Sequence, residues 1–211
     1  SLSARMVSRS CTTLSGGMVV RGTVTASANV ANATAVWIGN GTTTPTLDNN
    51  GAINATGAAN AGQLTTGVLI DTGASVGAMT NTGTISAASA SSGSSYALRD
   101  LSGTLGTLNN SGTIMASGGA SDVAVDLSAN AGGSTITQNL PAAGNVAPSI
   151  SGAILFGGGP DTLTINAGRV AGNVAFGGGS NTMTLTGLSS YTGTVDFGGG
   201  TSTLGLSGGA S

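Results

Sequence analysis

The chain has 211 residues with five Arg, seven Asp and no Lys, Glu or His, so its net charge is −2 and only 6% of residues are charged. Without His, no Ser-His-Asp or Cys-His pair can be built within the chain, nor a His-ligated zinc or iron site. Five scattered Arg argue against a nucleic-acid footprint, and the loss of Lys and Glu removes good helix formers.

Disorder does not fit either, because disordered chains pair low hydropathy with high net charge, whereas here 39% of residues are apolar and the mean hydropathy is +0.29. Aromatic residues make up 3%. Any core must therefore come from Ile, Val, Leu and Ala, and side chains this small exclude water only when the backbone packs closely and regularly. That requirement points to a repeat protein.

Residues 1–17 read as an N-terminal cap or irregular lead-in. The single Cys11 has no partner for an internal disulfide and reads as a small, half-buried residue. Arg5 and Arg9 precede no apolar stretch of signal-peptide length, and no run reaches the ~20 residues of a helical membrane span. The chain is expected to lack both, as an internal piece of a longer precursor would.

Over residues 18–127 one block recurs with a period of about 30: Met18-Val19-Val20-Arg21-Gly22-Thr23-Val24, then Leu47-Asp48-Asn49-Asn50-Gly51-Ala52-Ile53, Met79-Thr80-Asn81-Thr82-Gly83-Thr84-Ile85 and Leu108-Asn109-Asn110-Ser111-Gly112-Thr113-Ile114. A second block keeps step with it: Val36-Trp37-Ile38-Gly39, Val68-Leu69-Ile70-Asp71, Ala97-Leu98-Arg99-Asp100 and Val123-Ala124-Val125-Asp126. Residues 128–150, with Pro141 and Pro148, read as an irregular insertion. From 151 to 211 the period falls to 20–21, in Gly152-Ala153-Ile154-Leu155-Phe156-Gly157-Gly158-Gly159, Gly172-Asn173-Val174-Ala175-Phe176-Gly177-Gly178-Gly179 and Gly193-Thr194-Val195-Asp196-Phe197-Gly198-Gly199-Gly200.

Short segments such as Thr162-Leu163-Thr164-Ile165 alternate apolar and small polar residues, which is strand patterning broken by Gly and Asn turns. Strands this short on a repeat of 20–32 residues match the coils of a β-solenoid. About seven rungs in one continuous domain are expected. A two-sheet sandwich is the structural competitor, but it gives no reason for the same residue types to recur at one rung length. Stacked in register, Ile53, Ile85, Ile114, Ile154, Val174 and Val195 are expected to form one inward aliphatic ladder, and Asn49, Asn81 and Asn110 a ladder of amides. The glycine triplets are expected at equivalent turns, where they permit positive φ and tight backbone approach. A phosphate-cradling loop is the functional alternative for them, weakened by the absence of Lys and of a following helix.

At these residues the chain resembles the passenger domains of bacterial type V autotransporters. The carriers are the Asn-x-Gly-Thr-Ile repeats leading into the Phe-Gly-Gly-Gly copies, over residues 18–211. The resemblance implies an all-β, right-handed parallel β-helix, secreted across a Gram-negative outer membrane and displayed on the cell surface. It also implies adhesion or self-association, with copies of the chain or another cell's surface as partner. The chain shows no signal peptide and no C-terminal barrel of alternating, aromatic-girdled strands. It would then be a passenger fragment of a precursor that carries such a barrel.

The glycine-Asp copies are also similar to calcium-binding nonapeptide repeats, but the spacing at Gly157-Gly158-Gly159-Pro160-Asp161 is one residue short and the acidic position becomes Asn181 and then Ser202. Calcium needs several oxygen ligands, so no metal and no cofactor are expected.

Asp71, Asp100 and Asp126 are the only acids that the repeats align. Stacked carboxylates could serve as acid and base in a polysaccharide-cleaving enzyme. The alternative, which we prefer, is that each caps a turn by accepting from its own backbone, with Arg99 free to pair with Asp100 or with an Asp of a neighbouring rung. Trp37, Tyr96 and Tyr191 are isolated and read as packing residues. The expectation is a non-enzymatic surface rod that acts through a neutral, repetitive face or through unpaired end strands. A third reading, an ice or mineral binder, needs Thr-x-Thr on every rung; the pattern is met at Thr162/Thr164 and Thr182/Thr184 and fails at Thr203/Gly205.

Overall fold

The computed structural model describes residues 4–6, 12–57, 60–90, 92–142 and 146–209, the first three as backbone only. Cys11, with residues 1–3 and 7–10 of the lead-in, lies outside them.

Among the described residues the chain forms strands and turns and no helix, so none is long and apolar enough to cross a membrane. Every strand pairing is parallel, and successive strands go to three different sheets in rotation, which makes the chain an all-β parallel β-solenoid. The first sheet stacks β1 (Ala4–Met6), β5 (Ala33–Ile38), β8 (Leu64–Ile70), β11 (Ser94–Asp100), β14 (Ser121–Asp126), β17 (Ala153–Leu155), β20 (Val174–Ala175) and β23 (Val195–Asp196). The second stacks β2 (Thr12–Thr13), β6 (Thr42–Asn49), β9 (Ser75–Asn81), β12 (Thr107–Asn110), β15 (Thr135–Gln138), β18 (Thr162–Ile165), β21 (Thr182–Leu185) and β24 (Thr203–Leu206), with β3 (Met18–Val20) also on β6. The third runs through β4 (Thr23–Ala28), β7 (Ala52–Gly57), β10 (Thr84–Ser89), β13 (Thr113–Ser117), β16 (Ser149–Ser151), β19 (Gly168–Ala171) and β22 (Ser189–Thr192).

Each strand turns alternate side chains inward, so the core is a set of aliphatic columns. In the second sheet Leu47, Met79, Leu108, Ile136, Leu163 and Met183 lie one above another in register, all fully buried. A register slip of one residue would turn such a column out to solvent, and that penalty fixes the stacking.

The structure corrects the sequence reading in two places. The expected single aliphatic ladder is two. Ile53, Ile85 and Ile114 stack in the third sheet and continue through Ile150 to Val170. Ile154, Val174 and Val195 stack in the first sheet, where Ile154 continues the column of Val68, Leu98 and Val125. Residues 128–150 are also no simple interruption, because β15 within them pairs with β12 on one side and β18 on the other. The later coils are short because the strands shorten, from six or seven residues in β7 to β11 to two to four from β16 onward, and because the corner between the third and first sheets shrinks. Between β16 and β17 it is Gly152 alone, at φ +120°, where a Cβ would press on the backbone of the Asp122–Ala124 strand below.

Candidate functional site

The interior polar groups are held in ladders. Asn49 Nδ2 donates to Asn81 Oδ1 at 2.8 Å, 32 residues away, and Asn81 Nδ2 donates to Asn110 Oδ1 at 2.8 Å, 29 residues away. The structure adds a member that the sequence reading missed: Asn110 Nδ2 donates to Gln138 Oε1 at 3.1 Å. Gln138 then closes the ladder by donating to the backbone carbonyl of Ala167 at 2.8 Å. All four side chains are buried. Each asparagine also ties down its own corner: Asn81 Nδ2 reaches Gly83 O and Thr113 O, and Asn110 Oδ1 accepts from Gly112 N.

The three aligned acids do not stack. Their register follows the inward residues Val68, Leu98 and Val125, which places Asp126 opposite Arg99, Asp100 opposite Ile70, and Asp71 just beyond its strand. Each carboxylate is occupied at its own turn. Asp71 accepts from Thr72 N at 2.8 Å and from Trp37 Nε1 at 3.1 Å. Asp100, fully buried, accepts from Ser102 N, Ser102 Oγ and Gly103 N on one oxygen and from Leu105 N on the other. Asp126 accepts from Ser128 Oγ at 2.6 Å and from Arg99 Nε at 3.3 Å, and the same guanidinium lies 4.4 Å from the Tyr96 ring centre. These contacts brace turns and bring no pair of carboxylates together around a substrate-sized space.

The middle N–H of each glycine triplet is committed within the chain, Gly158 N donating to Asn130 O. Gly178 N donates to Gly157 O and Gly199 N to Gly177 O, coil to coil. In the second and third copies the outer glycines have positive φ: Gly177 +72°, Gly179 +88°, Gly198 +62° and Gly200 +90°. In the first copy Gly157 and Gly159 serve close approach instead, against the backbone of Asn130 and Gly133, and the middle residues Gly158, Gly178 and Gly199 have no such φ. Beside the triplets, Phe156, Phe176 and Phe197 stack at centroid distances of 4.9 and 5.1 Å, with their ring planes nearly parallel. Their shared place before each triplet was the signal for this stack.

Asp161 sits in a second polar ladder. Ser134 N donates to its Oδ1 at 2.6 Å, Asp161 N donates to Asn181 Oδ1 at 2.9 Å, and Asn181 N donates to Ser202 Oγ at 3.1 Å. Its other oxygen, Oδ2, is buried without a hydrogen-bond partner, whereas the Asn181 amide at the equivalent place donates to Gly178 O, Gly179 O and Phe197 O. Burial pushes the Asp161 carboxyl pKa up, against the opposing pull of the Ser134 N–H. A raised pKa in the folded state means that stability is fullest where the acid is protonated and falls as pH rises through that pKa. Asp161→Asn is expected to stabilise the chain at neutral pH by about 1–3 kcal/mol and to flatten the pH dependence. Thermal melts from pH 4 to 8 on both chains check it, and a loss of stability at neutral pH contradicts it.

Outside, the second sheet presents two columns. One runs Thr46, Ala78, Thr107, Thr135, Thr162, Thr182, Thr203; the other runs Asp48, Thr80, Asn109, Thr137, Thr164, Thr184, Gly205. Only Asp48 among these fourteen residues is charged. The register adds Thr135/Thr137 to the two Thr-x-Thr pairs visible in sequence. At the end of this sheet Leu204 and Leu206 are 53% and 63% exposed, although Met183 and Leu185, their partners in β21, are buried.

No protein-family model matches the chain, and neither curated proteins nor solved structures gave a match.

Proposed function

We propose that the chain is a non-enzymatic, adhesive rod, the surface-displayed part of a secreted protein of the autotransporter type, and that it works by association with copies of itself or with another cell's surface. The observation that carries this reading is the outward face of the second sheet. Fourteen residues in two straight columns hold a single charge. Rungs lie about 4.8 Å apart, so a charge repeated on this face would repel its like on every coil. Its absence leaves a flat hydroxyl-rich surface with nothing to hold a second copy away, and a net charge near zero favours association. The uncovered Leu204 and Leu206 on β24 offer a second, end-on contact through an open strand edge.

Sedimentation velocity at micromolar concentration tests it. The unmodified chain is expected to show species above the monomer. Thr135→Lys with Thr182→Lys places two cations on the exposed column and is expected to dissolve side-by-side association with little change in melting temperature. Leu204→Asp separates end-on association from it. A strictly monomeric chain that adheres to no cell overturns the reading.

The three consecutive Thr-x-Thr pairs favour a second reading, in which the same flat face binds ordered water on ice. Thermal hysteresis, present in that case and absent for the adhesive rod, separates the two.

A further inference from the structure

Where β15 ends, the chain departs from the coil path through Asn139, Leu140 and Ala142, and a cleft of about 240 Å³ lies between this stretch and the outer corner of β9 and β12. Its lining includes Thr80, Asn109, Ser111, Asn139, Leu140 and Ala142. The hydrogen-bonding groups here are unspent. Among the described residues, the side chains of Thr80, Asn109 and Ser111 bond to no other group of the chain. Asn139 uses only its Oδ1, which accepts from Asn166 Nδ2 at 2.8 Å, so that its own Nδ2 is left to the cleft. The Asn110 amide, which also lines the cleft, is by contrast engaged in the ladder.

We propose that this cleft binds one ring of a neutral oligosaccharide, an inference that rests on the adhesive reading above and gives it a ligand class. Four observations carry it. Every sugar hydroxyl both donates and accepts, and the lining supplies both roles through two carboxamides and two hydroxyls. Leu140, 54% exposed, and Ala142 present an apolar patch for the C–H face of a ring. No lining residue is charged, and the charge closest along the column is Asp48, directly in register with Thr80, which disfavours an acidic sugar. The volume falls below the ~300 Å³ at which drug-sized pockets begin, so it suits one ring, with the rest of the chain lying along the flat Thr face.

Chemical-shift titration of the ¹⁵N-labelled chain tests the assignment, with maltotriose, cellotriose and chitotriose as neutral probes and trigalacturonate as the acidic one. At least one neutral trisaccharide is expected to move the side-chain amide resonances of Asn109 and Asn139, and trigalacturonate to leave them in place. Asn109→Ala is expected to weaken that binding about threefold to tenfold, the loss of one ordinary hydrogen bond, without altering the melting temperature. The proposal is overturned if none of the neutral trisaccharides shifts these resonances at tens of millimolar. It is equally overturned if trigalacturonate binds as well, or if Asn109→Ala leaves the affinity unchanged. Sedimentation of the same samples keeps the two readings apart: association that persists without sugar binding removes the cleft and leaves the rod.

Discussion

Asn81→Ala is expected to destabilise the protein by about 3–5 kcal/mol, more than any surface substitution. Asn81 stands in the middle of the amide ladder, fully buried, and its loss breaks both ladder bonds, leaving Asn49 Nδ2 with only Thr84 O and Asn110 Oδ1 with only Gly112 N. Each hydrogen bond lost costs roughly 0.5–1.5 kcal/mol, and the bonds to Gly83 O and Thr113 O go as well. Asn50→Ala is the control. Asn50 is exposed and accepts one bond from Thr82 Oγ1, and its loss should stay within about 0.5 kcal/mol. Urea denaturation of the two variants decides it; equal midpoints contradict the ladder as a structural element.

Phe176→Ala should cost about 3–5 kcal/mol, the range for truncating a buried aromatic ring. Phe176 is the middle ring of three and fully buried, with Phe156 and Phe197 4.9 and 5.1 Å away on its two faces. A methyl group in its place leaves a void that the glycine turns cannot collapse to fill, because their backbones already touch those of the coil below. Phe197→Ala, at the last coil and only half-buried, should cost clearly less. The order of the two melting temperatures checks this, and a reversed order would mean that the stack does not bear on the C-terminal coils.

What the sequence revealed and what it hid have the same physical origin. An inward column tolerates only residues of one shape, and an amide ladder only residues that both donate and accept, so Leu47, Met79 and Leu108 or Asn49, Asn81 and Asn110 recur visibly. Where the chemistry allows a substitute, the signal fades. Gln138 does an asparagine's work with a longer side chain, and Ser134, Asp161, Asn181 and Ser202 share one ladder with three kinds of side chain. Repetition can also mislead. Gly112-Thr113-Ile114 and Gly152-Ala153-Ile154 look like copies, but they lie in different sheets, because any corner of this fold can be written as a glycine followed by an alternating strand. The carboxylates show the limit of counting. Asp71, Asp100 and Asp126 end similar blocks, yet the buried Val68, Leu98 and Val125 set the register and shift each acid by one residue from the last. The neutral face and the cleft were legible only in part, since the first needs the register of the second sheet and the second a departure from the repeat.

The scarcity of charge describes a stackable surface, and the central proposal is that this surface brings copies together. Negative-stain electron microscopy of the purified chain at micromolar concentration tests that claim most directly. The account predicts rods joined side by side or end to end, which the Thr135→Lys, Thr182→Lys chain resolves into separate particles. Isolated single rods at every concentration, the same for both chains, would contradict it.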